Sequence, residues 1–292
     1  MAALWIALLL CPASLWSQTR MFAGADYSQG IVFIMENDQI VWKHKAPDCN
    51  DLWILPSGNL LFTTGHGVLE MNRQNDTIFH YESASPIFAC QRLKNGNTFV
   101  GECSSGRMLE ISPKGKIVKE ACILPKGVKD GGFAFMRNAR RLDNGHFLVA
   151  HYGTECVKEY DANGKEVWNL KVPGGPHSLT RLPNGNTLIA VADKDNNPRL
   201  IEVTKEGKTI WGISNEDIPG KPLKFLGGFQ YFSDGRILLT NWVGHVNPDQ
   251  RTHMLLVDRQ KNVLYSLKDH KDLQTMSSVY TTEFPQGVSV SH

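Results

Sequence analysis

The sequence predicts an all-β chain: a six-bladed β-propeller of four-stranded antiparallel blades, closed by a C-terminal strand that joins the N-terminal blade. Three observations carry that prediction. A hairpin motif recurs as "LPSGN" at 55, "LKNGN" at 93, "LDNGH" at 142, "LPNGN" at 182 and "FSDGR" at 232. Its glycines, Gly58, Gly96, Gly145, Gly185 and Gly235, stand 38, 49, 40 and 50 residues apart, a period typical of stacked supersecondary units. The two ends of the chain hold complementary fragments of a sixth unit.

Each motif joins a first and a second strand, here a and b. Asn-Gly and Asp-Gly supply the positive φ of a tight hairpin, and the flanking runs, such as "LWIL", "TFVG" and "TLIAV", are rich in strand formers. A third strand, c, follows in every unit: "GVLEMN", "RMLEIS", "CVKEYD", "RLIEVT" and "MLLVDR". The fourth, d, reads "TIFHYE", "KIVKEA", "EVWNLK", "TIWGIS" and "NVLYSL". Four antiparallel strands repeated radially describe the blade of a propeller. Residues 30–45 match strands c and d without a preceding hairpin, "MFAGAD" at 21–26 supplies b, and "SSVYTTE" at 277–283 supplies a. Closure through both termini removes the exposed edges of an open sheet. A seventh blade would need a unit the chain does not hold, and a parallel β-helix would not call for alternating hairpins.

The repeat "RLPNGNTLI" followed by "IEVTKEGKTIW" resembles that of bacterial propellers described as quinoprotein-like or arylsulfotransferase-like. The resemblance runs from about residue 21 to residue 284 and is one of repeats. Quinoprotein dehydrogenases are larger eight-bladed rings with a quinone over calcium, some with a vicinal cysteine pair that this chain lacks. A pyrroloquinoline quinone (PQQ) cofactor is therefore not expected. Arylsulfotransferases use a sulfated histidine in a larger chain with extra domains. The resemblance implies architecture, because one propeller scaffold hosts many activities.

Residues 1–17, "MAALWIALLLCPASLWS", are apolar and uncharged and read as a secretory signal, leaving a single domain over 18–292. Periplasmic or secreted localisation is expected, with no membrane span after signal removal. Leu10 before Cys11 disfavours a lipid anchor. With 31 Lys plus Arg against 29 Asp plus Glu, no strong field favours nucleic acid. Cys49, Cys90, Cys103, Cys122 and Cys156 remain in the mature chain, an odd number, so at least one thiol is unpaired within it. Cys90 and Cys103 flank a hairpin at nearly matched distances. A cross-strand bridge and two buried thiols are both open.

The repeat also serves as a ruler for the site. In a propeller the a-to-b turns lie on one face, and the d-to-a and b-to-c connections lie on the other, at the mouth of the channel. Eight residues before each turn glycine stand Asn50, Phe88, Arg137, His177 and Gly227; six after it stand Thr64, Glu102, His151, Val191 and Asn241. The convergent polar set points to a binding site at that mouth. His66 and His245 fall just beyond the same strand ends, Asp51 and Asn138 beside the strand starts, and Trp242 is placed to stack on a ligand. Long connections at 124–136, 216–228 and 241–254 elaborate the same face. Of the "RNARR" arginines, Arg137 is the inward candidate, since Arg140 and Arg141 alternate in direction. Trp42, Trp168 and Trp211 recur in strand d and read as packing.

These residue types suggest chemistry. His66, His151 and His177 can bind a divalent metal, although no local His-x-x-x-His spacing supports one. Without metal, His177 or His151 can abstract a proton while Arg137 stabilises the resulting enolate or carboxylate, as in a uronate lyase. Histidine with Glu102 can instead serve glycoside hydrolysis, for which a single acid is a poor pair. The reading is a secreted enzyme that cleaves a glycan or glycoside with catalytic His177, His151, Arg137 and Glu102. The substrate-binding set is His66, Asn241, Trp242, His245, Asn50, Asp51 and Asn138. The alternative is a non-catalytic propeller that binds a sugar, peptide or protein.

Overall fold

The computed structural model describes residues 20–192, 197–220, 222–244, 252–268, 270–282 and 289–291. The N-terminal leader and His245 lie outside the described residues. Six antiparallel sheets form the blades, five of four strands and one of five. Blade 2 comprises Leu52–Ile54, Leu60–Thr63, Gly67–Met71 and Thr77–Glu82. Blade 3 comprises Ile87–Arg92, Thr98–Glu102, Arg107–Ile111 and Ile117–Cys122. Blade 4 runs through Asn138–Arg141, Phe147–His151, Cys156–Tyr160 and Glu166–Lys171. Blade 5 runs through Gly175–Arg181, Thr187–Ala192, Arg199–Val203 and Thr209–Ser214. Blade 6 is built from Leu226–Phe232, Ile237–Asn241, Thr252–Val257 and Val263–Lys268.

Blade 1 closes the ring as the sequence predicts. Its strands b, c and d are Met21–Asp26, Ile31–Glu36 and Gln39–Lys45, and its strand a is Met276–Tyr280 from the other end of the chain. Ala23 pairs with Tyr280 and Gly24 with Val279 in an antiparallel register. The sequence did not reveal one further strand. Ser289–Ser291 pairs with the inner edge of blade 6, Ser291 opposite Tyr231, and makes that sheet five-stranded.

Apolar residues of strands b and c and their neighbours fill six clusters, one between each pair of adjacent blades. Buried side chains such as Phe62, Phe99 and Phe229 each contribute roughly 1.5–3 kcal/mol. A polar latch repeats beside them. The strand-c glutamate of one blade accepts from turn asparagines of its own blade and an arginine of the next. Asn59 donates to Glu70 at 2.7 Å and Arg92 at 2.5 Å; Asn186 donates to Glu202 at 2.7 Å and Arg259 at 2.5 Å. Arg181 donates to Glu159 at 2.8 Å. The same arginines lie over strand-d rings, Arg181 over Trp168 at 5.1 Å and Arg259 over Trp211 at 4.2 Å. The recurring tryptophans thus pack each blade against its neighbour.

A bidentate ion pair links blades 2 and 4 across blade 3. Arg140 of blade 4 donates to both oxygens of Asp51 at 2.8 and 3.0 Å, over the inner strand of blade 3, whose Cys90 N–H donates to Asp51 at 2.9 Å. Both partners are buried, and the guanidinium lies 5.2 Å from the Trp53 ring centre. Asp51, expected to bind substrate, is instead a structural group with its charge neutralised. The cysteines are unpaired: Cys49, Cys90, Cys103 and Cys156 are buried and Cys122 is exposed. A Cys90–Cys103 bridge is excluded, since Cys90 pairs with Val100 across the hairpin and each thiol joins a different interblade cluster.

Candidate functional site

Above the ion pair, the d-to-a and b-to-c connections enclose a cavity of about 280 Å³. Its walls come from successive inner strands: Asn50 before blade 2, Arg137 before blade 4, His177 in blade 5, Gly227 in blade 6 and Ser277 in blade 1. Its rings come from the connections: Tyr27, Tyr152 and Trp242 just after strand b of their blades, Phe133 and Phe225 from long d-to-a loops.

His177 is half-buried, and its backbone sits at a register shift between Pro176 and Ser178. Nδ1 lies 2.8 Å from the Gly227 carbonyl oxygen, which can only accept, so Nδ1 carries the proton. Nε2 therefore keeps its lone pair, and no described residue bonds to it. The ring edge packs on Phe225, 4.8 Å between centres, and Phe225 packs on Trp242 at 5.7 Å. Burial lowers the imidazole pKa to about 4, opposed by the Gly227 bond and aided by the Arg137 charge, so the ring is neutral at pH 7. Gly227 is required here by space. A Cβ on it would lie 2.6 Å from the Ser277 carbonyl oxygen.

Arg137 lies in an aromatic box, 4.1 Å from the Phe133 ring centre, 5.2 Å from that of Phe88 and 5.3 Å from that of Tyr152. No described carboxylate pairs with it, and its Nε is buried without a hydrogen-bond partner. Burial depresses its pKa, which from so high a starting value leaves it cationic. A guanidinium without a counter-ion in an aromatic cavity is suited to an anionic ligand. Asn50 donates to the Asp48 carbonyl at 2.8 Å, which fixes its side chain at the rim.

The structure thus brings together His177, Arg137, Asn50 and Trp242. The other expected residues lie elsewhere. His151 is buried with both nitrogens engaged: Nδ1 donates to the Phe135 carbonyl at 2.8 Å, and Nε2 accepts from Tyr160 at 2.8 Å. It supports the loop that carries Phe133 and Arg137 and has no free lone pair for catalysis. Burial lowers its pKa to about 4. Glu102 is buried in a separate network, accepting from Ser105 at 2.5 Å, Tyr81 at 3.2 Å and Arg107 at 3.4 Å. Asn241 is a clamp, accepting from Lys224 N–H at 2.7 Å and donating to the carbonyls of Pro222 and Thr252. Asn138 is buried at the start of its strand and does not line the cavity. His66 is exposed and donates to the Ser83 carbonyl at 3.2 Å. His66, His151 and His177 therefore do not converge on a metal, and among the described residues no three His, Cys, Asp or Glu side chains do.

The misplacement of Glu102, His151 and Asn241 has one cause. Strand b lies outside strand a, and its last residue points between blades, where Glu102, His151 and Asn241 are buried. In blades 4 and 6 the residue after it, seven beyond the turn glycine, reaches the cavity as Tyr152 and Trp242, whereas Cys103 at that place in blade 3 is buried in an interblade cluster. Tyr27 holds the equivalent place in blade 1, and Ser277 and Phe225 come from segments the turn-based ruler does not reach.

Fold and cavity define a six-bladed propeller with a candidate ligand cavity at one mouth of its channel. No family model matches the chain, and comparison with curated proteins finds no relative. Among solved structures, the chain is similar to a protein of unknown function from Bacteroides caccae. The TM-score is 0.79 at 20% identity over 90% of this chain and 98% of that one. It is also similar to a streptogramin B lyase, with TM-score 0.58 and 13% identity over 87% and 80%. A catalytically inactive His-to-Ala virginiamycin B lyase from Staphylococcus aureus with quinupristin gives 0.55 and 14% identity over 86% and 85%. These likenesses are of fold. Among the described residues no helix is long and apolar enough to cross a membrane.

Proposed function

We propose that the protein is a secreted lyase whose cavity binds an acidic substrate, a uronate-bearing glycan being the leading class, and eliminates a group β to the carboxylate. The observation that carries this reading is the His177–Gly227 hydrogen bond, which leaves a neutral imidazole with a free Nε2 in the same cavity as unpaired Arg137. Nε2 takes the proton from the carbon next to the carboxylate. The electron pair moves into the carboxyl group, where the guanidinium offsets the growing charge. As the carbon–carbon double bond forms, the β carbon–oxygen bond breaks, and the leaving oxygen takes the proton from the His177 imidazolium.

The cavity of about 280 Å³ suits one sugar-sized ring, with Trp242 and Tyr152 as stacking faces and Asn50 for a hydroxyl. Hydrolysis by paired carboxylates has no support, because no described Asp or Glu lines the cavity. That lyases occur among structures of similar fold is compatible with this chemistry and adds no substrate.

The test is to incubate the full chain with uronate-containing oligosaccharides and follow the ultraviolet absorbance of the conjugated product. Appearance of that absorbance supports the reading. Saturable binding of the same sugars without product would make the protein a non-catalytic binding propeller.

A further inference from the structure

The opposite end of the channel holds a second cavity, of about 650 Å³, on the face of the a-to-b turns. Trp53, Arg140 and Gln91 form its inner wall, and Arg141, Arg181 and Lys205 bring cations to it. The two cavities share no lining residue; Arg140, paired with Asp51, lines this one, and Asn50 lines the other.

Repetition explains most of these groups but not Arg141. In blades 3 and 5, the arginine that ends strand a forks between two partners. Arg92 donates to the Gly96 carbonyl at 3.0 Å and to Glu70, and Arg181 to the Gly185 carbonyl at 3.1 Å and to Glu159. Arg141 holds the same position in blade 4, and its glutamate would be Glu110 of blade 3. Glu110 is already engaged by Asn95 at 2.8 Å, Asn97 at 2.7 Å and Lys119 at 3.3 Å. Arg141 instead lies over the Phe147 ring at 4.5 Å, within the field of Glu110 but with its guanidinium hydrogen-bonded to no described residue.

The carboxylates of this cavity do not compensate it. Asp143 pairs with Lys94 at 2.9 Å, and Glu159 with Arg181 and His146 at 2.8 and 2.7 Å. Lys205 is exposed at the rim, where its charge acts on the adjacent exposed Glu206 without a close ion pair between described residues. A half-buried guanidinium without the hydrogen-bonded carboxylate its repeats have, in the same cavity as a second cation, is a receptor for negative charge.

We propose that this cavity is a second ligand site, in which Arg141 and Lys205 bind a small organic anion through a carboxylate or phosphate group, independently of the His177 cavity. Citrate and inorganic phosphate serve as probes, titrated calorimetrically into the full chain carrying Arg137→Gln, which removes the anion-binding group of the other cavity. Binding of citrate alone assigns the site to carboxylates, and of phosphate alone to phosphoryl groups. Adding Arg141→Gln is expected to weaken it about tenfold or more, the usual effect of removing a charge-assisted bond. Lys205→Gln, an exposed position that leaves folding intact, is expected to weaken it a few-fold. Binding of neither probe, or an affinity unchanged in both variants, overturns the proposal. Should Arg141→Gln fail to fold by circular dichroism, unchanged affinity in Lys205→Gln alone overturns it.

Discussion

His177 Nδ1 donates to the Gly227 carbonyl oxygen at 2.8 Å, and Gly227 in turn abuts Ser277, so three adjacent inner strands set one imidazole. Replacing Gly227 by alanine puts a methyl group 2.6 Å from the Ser277 carbonyl oxygen and forces the strands apart. The overpacking is expected to cost about 1–3 kcal/mol in urea unfolding. The displaced carbonyl releases His177, and turnover is expected to fall by roughly 10²-fold, as for a base misplaced by about 1 Å.

The histidines make stability depend on pH in a known direction. His151 and His177 titrate at about 4 in the folded protein against an ordinary value of 6.5, in both cases first through burial. Between these values the unfolded chain binds more protons, so stability is complete above pH 6.5 and falls as pH drops toward 4. For buried His151 the loss reaches roughly 3 kcal/mol. Urea melts at pH 7 and pH 4.5 measure it, and His151→Gln should flatten the slope.

The ring was legible because its signals are local and repeated: positive-φ glycines, alternating strands and matched fragments at the two ends. The inner-strand ruler places Asn50, Arg137, His177 and Gly227 in the cavity wall, while Phe88 at the fifth place packs in an interblade cluster. The second ruler failed by one residue, because side chains alternate across a strand and a slip of one exchanges the axis for the interblade space. His151 and Asn241 were chosen where Tyr152 and Trp242, one place on, reach the cavity. The Asp51–Arg140 pair was illegible for another reason: it joins positions 89 apart, and no local pattern links blades 2 and 4.

That pair links blades 2 and 4 across blade 3. Arg140→Met leaves Asp51 buried without its cation and should cost about 3–5 kcal/mol in urea unfolding. Combining it with Asp51→Leu should recover part of the loss, because the stranded charge goes with its partner.

The thiols give a simpler check. Burial pushes the Cys49 thiol up to about 12 and raises Cys90 and Cys103, while Cys122 is exposed. Of the five cysteines in the described residues, only Cys122 should react with a thiol reagent in the native protein. All five should react after unfolding without reductant, and Cys122→Ser should abolish the native reaction.

The central claim is that His177 is the base. The most direct measurement compares elimination rate and substrate affinity in the natural protein and His177→Ala. The account predicts that kcat falls by about 10²–10⁴-fold while Kd and the melting temperature change little. A variant that turns over within about threefold of the natural protein, well outside the range expected for loss of a general base, would contradict it.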